Sequence, residues 1–246
     1  MQYSGWMVGF ISKELKVSLK STAPVYHFNN INPEEISDVL LKIERSFNIK
    51  FTTADLKDVK TFGALCDLVV EKVKHLKADS GCTTQQAFYK LRNAINAKSP
   101  IDRAELKPQT KLCELFPRDN RIEVVADMET EMGFHMNLLR PKPWIVWTFV
   151  LMLLASITVS FIFDTAGYIG MVISITGLIL AGKFGKELKV KTLGDLAEKI
   201  AREHHVACRR NASTINRAEV AEKVKEMFAN DLHLERSVLT KEARFA

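Results

Sequence analysis

The sequence predicts an all-α protein in which small helical bundles flank a two-helix transmembrane hairpin. Three observations carry this prediction. Residues 144–184 are apolar and almost free of charge. The segments on either side place hydrophobic residues at helical spacing behind recognisable caps. A short element, Lys60-Thr61-Phe62-Gly63-Ala64-Leu65, recurs as Lys191-Thr192-Leu193-Gly194-Asp195-Leu196.

The hairpin comes first because it constrains everything else. Apolar runs at 144–163 and 166–181 flank a break at Asp164-Thr165-Ala166-Gly167, and Asp164 is the only charged residue between Trp144 and Gly182. A helix needs about 20 apolar residues to cross a hydrocarbon core of about 30 Å. The first run meets that length, and the second reaches it with Phe184. One unbroken helix would overhang the core, so a hairpin is expected. Buried helices of a water-soluble core are the other reading, but two such uncharged runs in succession disfavour it. Arg140 and Lys142 precede the pair, Lys183, Lys186, Lys189 and Lys191 follow it, and the connection has no cation. The positive-inside rule then places both flanks in the cytoplasm. Gly170, Ser174, Gly177 and Ala181 share one helical face, and Ser156 and Ser160 another, so the two backbones can approach closely.

Hydrophobic residues make up 47% of the 246, yet mean hydropathy is −0.03, because highly charged flanks offset the hairpin. The formal net charge of +6 matches the positive-inside bias. No basic stripe interleaved with aromatics occurs, so nucleic acid is not an expected partner. The cluster Lys183–Lys191 suits anionic headgroups as well as topology. Cys66, Cys82, Cys113 and Cys208 form no C-x-x-C pair. In the cytoplasm they are expected to be reduced and mostly buried. No signal peptide is expected at the N-terminus, and the first membrane run would itself direct insertion.

Four units are expected: a helical domain at 1–77, the first part of a second at 83–140, the hairpin at 144–184, and a helical tail at 185–246 completing the second domain. In the first unit, Met7–Lys16 is a weak amphipathic helix, and a loop covers Ser18–Asn32. Asn32-Pro33-Glu34-Glu35 starts a helix that runs to about Phe47. A short helix at Thr53–Val59 and one capped by Thr61 follow. In the second, Thr83 or Thr84 caps a helix over Gln85–Ala97, a polar loop covers Asn96–Thr110, and Pro117–Phe134 is the next helix. Asn216 caps a last helix in the tail. The K-T-[FL]-G-x-L echo points to an internal duplication, with the hairpin inserted in the second copy.

The run Ile43–Val73 resembles the second half of an acyl carrier protein. Glu44, Phe47, Ile49, Phe51, Val59, Thr61 and Phe62 fall in matching places without a gap. Leu106–Leu112 resembles the turn between the first and second carrier helices, and Leu232–Phe245 the segment just before the prosthetic-group serine. The resemblance implies carrier-like helical bundles whose second helix, Glu34–Ser46 here, is a docking face with charges Glu34, Glu35, Asp38, Lys42, Glu44 and Arg45. It also implies where a phosphopantetheine serine would stand. In the first copy Asn32 and Pro33 hold the Asp-Ser positions, and proline has no hydroxyl to esterify. In the second, Arg118-Asp119-Asn120-Arg121 stands there. The bundles are therefore expected to carry no prosthetic group.

Chemistry is sparse elsewhere. His204 and Cys208 stand four apart, a spacing that two zinc ligands can use, but no second cluster completes a site. His205 is beside them, and a small membrane enzyme using His204, His205 or Cys208 is the least favoured reading. No P-loop, G-x-S-x-G, H-E-x-x-H or dinucleotide fingerprint is present. The expectation is a non-enzymatic, multi-pass membrane adaptor without cofactor or metal. Its partners would be the bilayer and a cytoplasmic protein, with lipid or acyl metabolism as the expected setting. The alternative is a genuine membrane-tethered carrier using Ser37, one turn past Pro33.

Overall fold

The computed structural model describes residues 25–98 and 101–245. The expected helix at Met7–Lys16 lies outside the described residues. Helices dominate: α1 (Pro33–Phe47), α2 (Thr53–Lys57), α3 (Phe62–Lys72), α4 (Thr83–Lys98), α5 (Leu112–Leu115), α6 (Arg121–Met132), α7 (Pro143–Ser160), α8 (Asp164–Lys183), α9 (Leu193–Glu203), α10 (His205–Cys208) and α11 (Arg217–Asp231). Two-residue strands supplement them: β1 (Lys77–Ala78), β2 (Leu139–Arg140), β3 (Glu187–Leu188) and β4 (Thr214–Ile215).

Local chemistry sets the helix starts. The Asn32 side chain accepts from the Glu34 N–H ahead of Pro33, and Asn216 accepts from Ala218. Thr52 and Thr192 form reciprocal capping boxes with Asp55 and Asp195, and Thr61 accepts from Ala64. Such caps satisfy N–H groups that a helix leaves without partners. α6 starts later than expected, at Arg121, because residues 118–120 form a turn.

Two separate cores result. One gathers Val39, Ile43 and Phe47 of α1, Leu65 and Val69 of α3, and Val220, Val224 and Phe228 of α11. The other gathers Leu91 and Ile95 of α4, Val125 and Met128 of α6, and Leu196 and Ile200 of α9. This divides the tail that the sequence assigns whole to the second domain. Residues 193–208 complete the second bundle, whereas α11 and the strap at 239–245 complete the first. Both cores accept an amphipathic helix, so apolar spacing alone does not choose between them.

The two bundles repeat one pattern of backbone bonds. The N–H groups of Phe62 and Gly63 donate to the carbonyls of Ala243 and Lys241, at 2.8 and 3.0 Å, and Phe245 donates to Lys60. In the second bundle Leu193 and Gly194 donate to Thr110 and Pro108, at 2.9 and 2.8 Å, and Leu112 donates to Lys191. The approach is close: a Cβ on Gly63 would meet the Lys241 oxygen at 2.8 Å, nearer than a side chain is tolerated, and one on Gly194 would crowd the Pro108 oxygen at 3.0 Å. The helix endings match too. α1 ends on Asn48 with φ of 52° and α6 on Gly133 with φ of 78°, each left-handed. The repeat is permuted, because the first bundle takes its leading helix, α11, from the far end of the sequence. The chain crosses between bundles twice, from α3 to α4 through β1 and from α9 to α11 through β4. These crossings lie side by side, pairing Lys77 with Thr214 and Ala78 with Ile215 in parallel.

α7 and α8 form an antiparallel hairpin that is long and apolar enough to cross a membrane. The turn is Phe161-Ile162-Phe163, three residues before the expected break, and Asp164 opens α8. That position gives helices of 18 and 20 residues, or about 27 and 30 Å, against a core of about 30 Å.

Candidate functional site

The hairpin joins the second bundle through a narrow neck. β2 and β3 pair antiparallel, with Leu139 opposite Leu188 and Arg140 opposite Glu187. The Lys189 N–H donates to the Leu138 carbonyl at 2.9 Å. Arg121, buried at the start of α6, donates through its guanidinium to the Lys186 carbonyl at 2.5 Å and the Phe116 carbonyl at 2.8 Å. Lys186 donates to the Asp119 carbonyl, and Arg118 pairs with Glu187 at 2.9 Å. The neck cations are thus partly committed to the protein, while Lys183 at the end of α8 is exposed.

Inside the hairpin the small residues are used up. Gly167 backs onto Ser160, Gly170 onto Ser156, and Gly177 onto the Phe149 ring, so no side chain fits at these positions. Ser156 and Ser174 are buried between the helices and return their hydroxyls to the carbonyls of Met152 and Gly170. Outward, Trp147, Leu151, Leu154, Val172 and Ile179 are each more than half exposed. An apolar surface of this extent is unusual on a protein surrounded by water.

On the first bundle, α1 presents Glu34, Glu35, Asp38, Leu41, Lys42 and Arg45 outward. Glu44, expected on this face, is buried instead, as is Ser46 near the helix end. Glu44 accepts from the Phe51 N–H at 2.6 Å and from Lys50 at 3.3 Å, and so closes the loop after α1. Ser46 donates to the Arg202 carbonyl at 2.6 Å and accepts from the His205 N–H at 3.0 Å, which ties the bundles together. Lys42 pairs with Asp231 at 2.8 Å. The free charges of the face are therefore Glu34, Glu35 and Asp38 at its N-terminal end and Arg45 near its C-terminal end, with an exposed Leu41 between them. Ser37 is exposed, and its hydroxyl donates to the Pro33 carbonyl at 2.9 Å. An apolar cavity of about 330 Å³ opens beside Pro33, between α1, α2 and α3.

The His204–Cys208 pair does not form. The helix breaks at His204, which caps α9, stacks on Phe134 with 4.2 Å between ring centroids, and meets the His135 carbonyl at 3.0 Å through Nε2. Burial lowers its pKa. Cys208 lies fully buried in α10 with Sγ 3.4 Å from the Ile200 carbonyl. Burial pushes the thiols of Cys208 and Cys66 up to about 12, which makes both inert as nucleophiles. Cys82 and Cys113 are exposed, contrary to the expectation of burial: α5 is a short helix that turns Leu112 inward and Cys113 outward. Among the described residues, no three His, Cys, Asp or Glu side chains converge on a metal-binding point.

Sequence patterning gives no sign of the polar node where the chain crosses. Arg209, wholly buried, donates to the Gly81 carbonyl at 3.0 Å, the Thr83 hydroxyl at 2.9 Å, and the Asp79 carboxylate at 2.5 Å. The Gly81 N–H, and then Arg209, hold the Asp79 carboxyl below its usual range. His205 lies against Thr83, with Nε2 3.3 Å from Oγ1, and packs on Phe47. The fold supplies structural chemistry here rather than an open catalytic centre. Comparison with known proteins finds no matching family model, no matching curated protein and no matching solved structure.

Proposed function

We propose that this protein is an integral-membrane adaptor rather than an enzyme. The hairpin spans the bilayer, and both bundles stand on the cytoplasmic face as carrier-like modules without a prosthetic group. The observation that carries this reading is the hairpin's apolar outer surface, joined to the folded part by one neck. The exposed end of α1 then serves as the docking face. Three free acids beside Leu41 suit a soluble partner with a basic patch around an apolar pocket. Pro33 at the carrier position supports a role without covalent cargo.

The neck supplies the test. Because Arg140 and Glu187 are paired, residues 141–186 can be replaced by a two-residue Asn-Gly turn. The full chain is expected to resist carbonate extraction from membranes, and the shortened chain to be water-soluble with its helical content outside the hairpin intact. Release of the full chain by carbonate overturns the membrane reading. Charge reversal at Glu34, Glu35 and Asp38 is expected to release co-purifying proteins, and their full retention overturns the docking face. The exposure of Ser37 favours the second reading, a true carrier. Mass spectrometry after incubation with a phosphopantetheinyl transferase separates the two, since only a carrier gains mass at Ser37.

A further inference from the structure

The hairpin ends in a turn that no polar loop covers. Phe161, Ile162 and Phe163 are 86%, 76% and 66% exposed, the highest values for large hydrophobic side chains among the described residues. The polar groups around them are closed on themselves. The N–H of Phe161 donates to the Thr158 carbonyl at 3.4 Å, and those of Ile162 and Phe163 donate to the Val159 carbonyl at 3.0 and 2.8 Å. The hydroxyls of Thr158 and Ser160 donate to the carbonyls of Ala155 and Ile157, both at 2.7 Å. In water such a turn could leave these groups to the solvent. In lipid each must be met within the chain.

Length gives the depth. The neck fixes the near end, because Arg121 holds the Lys186 carbonyl and β2 pairs with β3, so the hairpin cannot be drawn further into the bilayer. With Lys183 at the near edge of the hydrocarbon, the 20 residues of α8 rise about 30 Å to the tip. The hydrocarbon is about 30 Å thick, and headgroups add about 5–8 Å before the water on the far side. The tip therefore reaches the far edge of the hydrocarbon and stops short of the water. Asp164 directly follows the tip and is the only charged residue between Trp144 and Gly182, which limits how deep the tip can lie. Tyr168, exposed one turn further on, is of a type that favours this boundary. We propose that Phe161, Ile162 and Phe163 form a foot embedded among the lipids of the far leaflet, where headgroups meet acyl chains, so that the hairpin presents no loop on the far side. The proposal rests on the hairpin's crossing of the bilayer and goes beyond it.

The test uses the full chain in lipid nanodiscs, where water reaches both faces. Cys82→Ser and Cys113→Ser remove the two exposed thiols, and a bimane fluorophore is attached at Ile162→Cys. Val172→Cys, exposed near the middle of α8, is the lipid reference, and Cys82 with only Cys113 replaced is the water reference. Iodide in the buffer quenches from water. Phospholipids brominated near the headgroup or near the chain end quench from two depths. The fluorophore at Ile162→Cys is expected to lose most of the iodide quenching seen at Cys82, and to be quenched more by bromine near the headgroup than near the chain end. At Val172→Cys that order is expected to reverse. Phe161→Cys repeats the measurement in case Ile162→Cys disturbs the turn. Full iodide quenching at the tip, with bromine quenching kept at Val172→Cys, overturns the proposal and leaves the membrane reading intact. Quenching of the tip by neither iodide nor bromine also overturns it, in favour of a second copy that covers the tip. Absence of bromine quenching at Val172→Cys removes the membrane reading, and the proposal with it.

Discussion

Glu44 and Glu129 occupy corresponding places in the two bundles and do the same thing there. Each accepts the main-chain N–H seven residues on, from Phe51 at 2.6 Å and from Met136 at 2.7 Å. Each also meets a basic side chain six residues on, Lys50 at 3.3 Å and His135 at 2.8 Å. Glu44→Ala leaves the Phe51 N–H without a partner, and a loss of about 1–3 kcal/mol is expected. Glu44→Gln keeps an acceptor and is expected to lose about 1 kcal/mol. Urea unfolding of the reconstituted chain, followed by near-ultraviolet circular dichroism, checks both values.

Arg209 fastens the two crossings of the chain. Arg209→Ala removes a fully buried guanidinium and strands the Gly81 carbonyl and the Thr83 hydroxyl. Asp79 is 41% exposed and recovers water, so the loss is expected below the largest values for broken buried pairs, at about 2–4 kcal/mol. Asp79→Asn is expected to cost less than half of that. Parallel unfolding curves of the two variants measure the difference.

Stability is expected to fall on mild acidification because of His205. Its imidazole is fully buried, and burial lowers its pKa from 6.5 to about 4. Glu219 opposes the shift, whereas Arg209 and Lys223 add to it. The folded protein keeps this imidazole neutral, and the unfolded chain takes up a proton below pH 6.5. The contribution is therefore complete above pH 6.5 and is lost as the pH falls toward 4. Its full size is on the order of 3 kcal/mol, and roughly 2 kcal/mol is lost by pH 5. His205→Gln is expected to flatten the stability profile between pH 7 and 5 by that amount.

Cysteine reactivity is expected to divide in two. Cys82 and Cys113 are exposed, while Cys66 and Cys208 are buried with thiols raised to about 12. A maleimide reagent is expected to modify the first pair within minutes and the second only after denaturation. An impermeant reagent applied to intact cells is expected to reach neither exposed cysteine until the membrane is opened. Labelling of Cys82 or Cys113 without permeabilisation overturns the cytoplasmic placement.

The parts of this fold that are legible in the sequence are the local ones. Asn32, Thr61, Thr192 and Asn216 announce helix starts because a cap acts within three residues of itself. The small residues of the hairpin are legible for a similar reason, since a bilayer leaves close packing as the main contact available. The destination of α11 is not legible, because its apolar stripe fits either core. Glu44 and Arg209 escape notice because charges in a helix or a loop are read as solvated until their partners are known. One signal was available for Glu44: a glutamate, then an asparagine or glycine four on, then a basic residue six on, at Glu44, Asn48 and Lys50 and again at Glu129, Gly133 and His135. The helix break at His204 is tertiary in origin, as its ring turns to stack on Phe134.

The permuted repeat sets an order of events during synthesis. α1, α2 and α3 leave the ribosome early, but the helix that completes their core begins about 145 residues after α3 ends. At typical elongation rates of about 5–20 residues per second that is a wait of roughly seven to thirty seconds. The hairpin is also made within that interval, so if it inserts as proposed, the N-terminal half is tethered to the membrane before α11 can close it. Until α11 arrives, the apolar faces of α1 and α3 have no partner helix to cover them.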